Sequence, residues 1–468
     1  MNTLWSFFGK GTQTKYEHDK AIPSEIPDGF PVPKSTLSYW RSDLHPIDSY
    51  CSSEKLPSEC DIAIIGAGMT GVSTAYHLSR LHTADGSGKK PSIVVLDARE
   101  VCSGATGRNG GHSKVQAFTM GKTVKKFGLD AANEFAAFVS AQKYLMKDAV
   151  DREELTCEFE MRRSYDVFVD QEEARAAEEL YRTAAKGGQA WVRDFDFVES
   201  RVAEQQVTSI QGAKAALSMP ACSLWPYEFV TQLICGMVND RAARLYTHTP
   251  VLSIESSGPS STILHTPKGI MKTKKLVFAT NAYTPAICPL YKNAIIPYKG
   301  TACHIAPEKP ISPHLSNTYN IYHDHPAHQA TRVDYLNPRP DGGIVVGGAK
   351  HLYCSDKNSW YNTTDDSTLL PNVRPYFESY MQSNFKGWEN SKTKVTHLWT
   401  GIQGETKDGF PFVGKVPGKE NWFVAAGFNG GGMTFIFSCT EGLAKMVEGR
   451  TYEETGLPKM FDAARMKN

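Results

Sequence analysis

Asp61-Ile62-Ala63-Ile64-Ile65-Gly66-Ala67-Gly68-Met69-Thr70-Gly71-Val72-Ser73-Thr74-Ala75-Tyr76-His77-Leu78 reads as strand, tight turn and helix in one pass. The apolar, β-branched run 61–65 ends in glycine, the signature of a parallel strand buried on both faces. Val72 to Leu78 then follows helical spacing. After a polar loop near 84–90, Ile93-Val94-Val95-Leu96 gives a second buried strand, closed by Asp97. This β-turn-α-β order opens a doubly wound dinucleotide-binding domain. Gly66 permits the turn, Gly68 lets backbone approach a pyrophosphate, and Gly71 lets helix and strand pack closely. Ala67, Met69 and Thr70 bring the helix N-terminus, with its free N–H groups and positive dipole end, to the phosphates. Asp97 is placed to accept both ribose hydroxyls, which suits FAD and NAD equally.

The chain has 468 residues, 51 Lys+Arg against 50 Asp+Glu, a formal net charge of +1, 41% hydrophobic and 22% charged residues. These are globular values, and the length suits two large domains or three smaller ones. Neutrality removes the electrostatic ground for nucleic-acid binding. No apolar run reaches transmembrane length, so no transmembrane segment is expected. Ten scattered cysteines without a C-x-x-C pair read as reduced thiols and a cytoplasmic protein. Residues 1–56 form an N-terminal extension, punctuated by Pro23, Pro27, Pro31 and Pro33. It reads as an arm wrapped on the body through Trp5, Phe7, Phe8, Phe30, Tyr39 and Trp40, with membrane-surface contact by residues 4–8 as the other reading.

Helical spacing predicts a long amphipathic helix over about 131–155 and a second over 172–185. Strands are predicted at 251–254, at 276–279, within 319–348 and at 422–426. The last passes through a glycine-rich bend into a helix starting near Met433. Between Asp97 and the first long helix runs Ala98-Arg99-Glu100, then Ser103-Gly104-Ala105-Thr106-Gly107-Arg108-Asn109-Gly110-Gly111-His112. Its small residues, hydroxyls and backbone N–H groups suit a second approach to pyrophosphate and flavin, for which a nicotinamide fold has no need.

These motifs resemble the D-amino-acid oxidase superfamily of flavoproteins, specifically the sarcosine/glycine oxidase and γ-glutamylputrescine oxidase branch, from about Asp61 to Arg450. Further stretches are similar to the family in order: Val251, at its adenine contact; Thr280-Asn281, in the turn over the cofactor; Trp399-Thr400-Gly401 and Asp408-Gly409-Phe410-Pro411, its return segment; and Gly427-Phe428-Asn429-Gly430-Gly431-Gly432-Met433, its last bend. There backbone N–H groups and a helix end would face the flavin pyrimidine edge, where reduction places negative charge.

The resemblance implies an α/β, two-domain (α+β) architecture: a Rossmann-like FAD-binding domain with a mixed-sheet substrate domain, in p-hydroxybenzoate-hydroxylase-like topology. The expected segments are FAD-binding parts at 57–125, 227–285 and 396–450, substrate segments at 126–226 and 286–395, and a tail at 451–468. It implies oxidation of a primary or secondary amine to an imine by hydride transfer to FAD, with dioxygen as the acceptor. Where sarcosine-type members hold a substrate carboxylate with a basic residue, this chain has Thr434; its nearest cation after the first flavin loop is Lys114. That favours an amine without an adjacent carboxylate. Val345 stands where the family's oxygen-activating lysine would be, with Lys350 out of phase, so oxidase and dehydrogenase both stand. Residues 398–406 contain no cysteine for a covalent flavin link, so non-covalent FAD is expected.

His112 is a candidate for lining the site or for a backbone-bonded structural role. Tyr322, Arg332 and Tyr335 are candidates for the pocket wall or ordinary sheet residues. His323-Asp324-His325-Pro326-Ala327-His328 invites a metal reading, but lacks a convincing further ligand, so no metal is expected. An α-amino-acid oxidase, an NAD-dependent dehydrogenase, a flavin hydroxylase (whose Gly-Asp motif is missing) and a flavin-binding protein without turnover are the competing readings.

Overall fold

The computed structural model describes residues 27–84, 90–199, 202, 207–258, 261–324 and 332–467. The aromatic start of the extension, the 85–89 part of the polar loop, and His325 and His328 lie outside them.

The quoted stretch folds as a strand, Glu59–Ile65, and a helix, Met69–Ala84. The strand's four last residues are all buried. It pairs in parallel with Ile93–Leu96 on one side and with Gly269–Phe278 on the other. The latter pairs in parallel with Trp422–Ala426, and Ile93–Leu96 with Arg244–Tyr246. One sheet is thus assembled from segments far apart in the chain, completed by the antiparallel edge strand Phe412–Lys415 and a hairpin on Gly269–Phe278. The helix after the glycine turn packs against Ile436–Val447, whose Leu443 and Ala444 are fully buried. That last helix begins at Ile436, later than the expected Met433, because Gly432–Thr434 forms a 3₁₀ turn and Phe435 leaves helical geometry (φ −152°). The predicted strand at 251–254 also shifts, to Ser253–Ser256.

The second sheet is mixed. Its order runs Lys394–Glu405, Ile296–Ala306, Ile344–Gly347, Arg332–Pro338, Thr318–His323, Glu160–Phe168, Ala215–Ser223 and His112–Ser113. Only the Thr318–His323 and Glu160–Phe168 pair is parallel along that path. One rung crosses seven of these strands: Trp399, Ala302, Gly347, Tyr335, Asn320, Asp166 and Leu217. Residues on one rung share a face, so a strip of side chains is fixed by strand register alone. The long helix, Leu129–Arg152, and a second, Gln171–Lys186, cover the outer part of this face. The second helix is capped by Asp170, whose carboxylate accepts from the N–H groups of Glu172 and Glu173 at 2.9 Å.

Residues 30–50 of the extension are folded into the body. Trp40 is fully buried, and Tyr39 stacks on His304 at 3.9 Å.

Candidate active site

The turn at Gly66 has φ +110°, and a Cβ there would meet the Ala279 carbonyl oxygen at 2.6 Å. A Cβ on Gly71 would lie 1.8 Å from the Gly66 carbonyl oxygen. Both positions therefore exclude side chains, which keeps the helix N-terminus against the strand end. Thr106, from the second loop, accepts the Met69 N–H through its hydroxyl at 3.0 Å and stands 3.1 Å from where a Gly68 Cβ would be. The two loops thus meet over the helix start.

Asp97 receives the Ala67 N–H at 2.6 Å on one carboxylate oxygen and the Arg99 N–H at 2.9 Å on the other. Each oxygen keeps a lone pair for a ribose hydroxyl. Burial pushes this carboxyl above its ordinary range, against the pull of those two N–H groups.

Gly66, Gly68, Met69 and Thr70, Asp97 to Arg99, residues 103–106, Val251, Thr280 and Asn281 line one cleft of about 940 Å³, solvent at its mouth included. Phe428 and Ile436, from the late glycine bend and its helix, line the same cleft. Asn281 ties the two ends together: its side-chain oxygen accepts from the N–H groups of Gly427 (2.9 Å) and Phe428 (3.2 Å). The Tyr283 hydroxyl, also in this lining, is buried without a partner. A cleft with an orphaned hydroxyl, a backbone cradle for phosphate and a carboxylate for a ribose fits FAD.

The rest of the second loop lies across the rung of the mixed sheet and is pinned at each step. Trp399 donates its indole N–H to the Arg108 carbonyl at 2.9 Å. Asn337 donates to the carbonyls of Gly110 (2.9 Å) and Gly111 (3.0 Å). A Cβ on Gly110 would strike the Tyr335 ring at 2.6 Å. Lys114 donates its ammonium to the Ser164 hydroxyl at 2.7 Å, and the Ala117 N–H goes to Asp166 at 3.2 Å. Asn320 donates to the other Asp166 oxygen at 2.8 Å. Lys114 and Asp166 are both buried and shift oppositely: burial lowers the lysine and raises the carboxyl, while each opposes the other's shift. Thr434 donates its hydroxyl to the Lys114 carbonyl at 3.0 Å, joining the late bend to this row. Ser164, Asp166 and Asn320 carry no motif. Only strand register sets them beside Lys114.

His112 and Tyr335 come together, edge to face at 5.6 Å. Burial holds the imidazole far below its ordinary pKa, with Lys114 and Arg162 adding to the effect, and its Nδ1 has no partner. Tyr322 sits farther along the same face, stacked on Phe168 at 4.8 Å. Arg332 does not join them. It packs over the Tyr376 ring at 5.5 Å, on the opposite face, because its place in the strand alternates with Val333 and Tyr335. His323 is likewise turned to that face, 3.0 Å from Asp334.

Several expected cofactor residues brace rather than line. Arg108 is buried, donates to the carbonyls of Ser103 and Thr400 at 2.8 Å, and is pushed down by burial to about 10. It packs under Gly401, where a Cβ would lie 3.0 Å from its own. Asn109 donates to the Thr106 carbonyl at 2.7 Å. A Cβ on Gly107 would clash with the Cys102 carbonyl oxygen at 2.2 Å. Asp408 binds Arg465 of the C-terminal tail at 2.7 Å, and Asn429 holds the Thr406 N–H at 2.7 Å. The extension supplies what motif reading lacked: Phe30 and Pro31 line the cleft. Ser38 donates to the Gly107 carbonyl at 2.6 Å, and Arg99 forms a two-pronged ion pair with Asp366 at 2.9 and 3.1 Å beneath it.

The family model for FAD dependent oxidoreductases, DAO, matches residues 61–446. The chain belongs to this family. Glycine oxidase of Bacillus licheniformis is 24% identical over 417 residues, covering 83% of this chain and 93% of that protein. Gamma-glutamylputrescine oxidoreductase of Escherichia coli (strain K12) is 23% identical over 226 residues, 48% of this chain and 49% of that protein, so the chain spans about half the length of that relative. The solved L-proline dehydrogenase of P. horikoshii superposes with a TM-score of 0.67 at 20% identity, covering 88% of this chain and 99% of that one. FAD is therefore the cofactor this DAO-family cleft holds. Among the described residues, no helix is long and apolar enough to cross a membrane.

Proposed function

We propose that this DAO-family protein oxidises a primary or secondary amine to an imine, with non-covalently held FAD and dioxygen as the acceptor. The observation that carries this reading is the strip formed by Tyr335, Asn320, Asp166 and Lys114, with His112 above it, directly beneath the loop that joins the two glycine bends. When bound, FAD supplies a two-electron acceptor for a C–H bond beside nitrogen. The glycine turns and Asp97 bind and orient it. The Tyr335 ring and the apolar face around Tyr322 keep water from the reacting carbon. His112, held neutral by burial, is equipped to accept a hydrogen bond at Nδ1 from the N–H of an amine that enters uncharged.

Substrate class follows from where charge is already spent. The Lys114 ammonium donates to Ser164 in the field of Asp166, and the Thr434 hydroxyl is committed to a carbonyl. An amine without a carboxylate on the adjacent carbon fits this face better than an α-amino acid. A second reading, with another electron acceptor, is favoured by the fully buried aliphatic Val345 at the position discussed above. All ten cysteines are free thiols, which supports a cytoplasmic setting.

Anaerobic mixing of the FAD-loaded enzyme with primary amines, secondary amines, polyamines and α-amino acids, followed by flavin bleaching, tests the reaction. Bleaching by amines is expected, and bleaching by α-amino acids alone overturns the substrate class. Peroxide release on admitting air separates dioxygen from another acceptor.

A further inference from the structure

A second cavity, about 970 Å³ with the solvent at its mouth, adjoins the strand that leaves the flavin loop. Ser113, Lys114 and Val115 form one wall. Asn133, Ala136, Ala137 and Ser140 of the helix Leu129–Arg152 form another, spaced as one helical face. The turn Ala190–Asp194 and Phe195 close the third, with Trp191 and Phe195 edge to face at 5.2 Å.

Lys143 reaches this space from the same helix. It is 5% exposed, and its ammonium donates to the carbonyl and the hydroxyl of Ser140, both at 2.9 Å. Those bonds belong to its own helix turn and carry no opposing charge. They use two of three N–H donors. The Tyr144 ring lies 4.6 Å from the ammonium. Asp194 acts on it only at longer range than an ion pair, and burial draws the lysine below its ordinary range. A buried ammonium without a close counter-charge is costly, and an anion entering the cavity would relieve that cost. With Lys114 engaged by Ser164 and Asp166, the lining sets Lys143 and Arg193 against the carboxylate of Asp194. Trp191, Phe195, Val139 and Met219 give the remaining wall an apolar surface.

We infer that this cavity is a carboxylate-binding subsite, in which Lys143 receives the carboxylate of a small organic acid whose alkyl part lies against Trp191 and Phe195. The acid comes from one of two sources: the far end of the amine substrate, in which case the assignment rests on the function proposed above, or a separate carboxylate that tunes turnover. The first source is suggested by proximity, since Lys114 belongs both to this lining and to the strip that carries Tyr335.

The test uses the FAD-loaded enzyme and calorimetric titration with butyrate and glutarate, which requires no turnover. Wild type is expected to bind at least one of them. Lys143→Met is expected to weaken that binding about tenfold or more, and Lys143→Arg to retain it, the difference being one charge-assisted contact. Should Lys143→Met not fold, protection of Lys143 in the wild-type protein from reductive methylation by glutarate, read by mass spectrometry, gives the same information. Absence of binding heat and of protection, or equal binding by Lys143→Met, overturns the inference. The source is read from anaerobic flavin reduction. If Lys143→Met weakens ω-amino carboxylates and spares plain alkylamines, the carboxylate belongs to the substrate. If free glutarate changes the rate with a plain alkylamine in wild type only, it is a separate ligand. Carboxylate binding without bleaching by any amine would sink the proposed reaction and leave the subsite standing.

Discussion

The cofactor cleft and the strip of side chains on the mixed sheet meet at the same loop, yet they are built from different materials. In the cleft, backbone does the work: Gly66 and Gly71 exclude side chains, and Asp97 is fixed by two N–H groups. On the strip, side chains do it: Tyr335, Asn320, Asp166, Ser164 and Lys114 come from four separate segments and are aligned by register. A backbone cradle tolerates almost no added atoms. A side-chain strip tolerates paired changes as long as charge is kept in balance.

The largest effect is expected at Gly71. Gly71→Ala forces a methyl into the Gly66 carbonyl, an overpacking of about 3 kcal/mol or more, and the purified protein should carry no visible flavin absorbance. Gly104→Ala, with nothing within 4 Å of the new methyl, should keep its flavin. Equal flavin content in the two variants would break the contrast.

Next comes the buried pair. Asp166→Ala strips Lys114 of its counter-charge and Asn320 of its acceptor, and should cost about 3 kcal/mol in thermal or urea unfolding. The double change Lys114→Met with Asp166→Asn should recover most of that loss. Failure of the double variant to recover would mean that the strip depends on hydrogen bonds rather than charge balance.

A smaller, pH-dependent effect is expected at His77, on the helix behind the glycine turn. Burial draws its pKa from 6.5 to about 4, opposed by Glu441 and the Phe437 carbonyl. Below 6.5 the unfolded chain binds a proton that the folded chain refuses, so stability falls as pH drops from 6.5 towards 4. The loss is about 2 kcal/mol at pH 5. His77→Gln should flatten the melting temperature between pH 7 and pH 5 by a corresponding amount. The smallest effect is expected for Tyr335→Phe: stability within about 0.5 kcal/mol of wild type, because the hydroxyl is not needed to fill the space beside Gly110. A change in the amine concentration that half-reduces the flavin, with folding intact, would place that hydroxyl against substrate.

The strands at 61–65, 93–96 and 422–426 and both glycine bends were legible because their demands are local. A buried parallel strand needs a continuous apolar run, and a backbone cradle needs glycine at fixed spacing. Arg332 illustrates the limit. It is three residues from Tyr335, and a strand turns alternate side chains to opposite faces, so the two were never able to share a pocket once 332–338 became one strand. Asp408, inside a matching motif, binds Arg465 instead of lining the cleft, a contact across 57 residues that no local pattern encodes. The extension was readable as proline-punctuated chain with aromatic anchors, whereas Phe30 and Pro31 in the cleft wall were not.

By itself the sequence determined the nucleotide fold, the cofactor class and the two backbone bends that border its cleft, since each rests on residue types forced by short-range geometry. Tertiary structure alone decided which polar side chains share the face beneath the flavin loop and that Lys143, among the described residues, has no carboxylate at ion-pair distance. Those depend on the pairing of strands and helices distant in the chain, and pairing is set by the burial of whole faces rather than by any neighbouring residue.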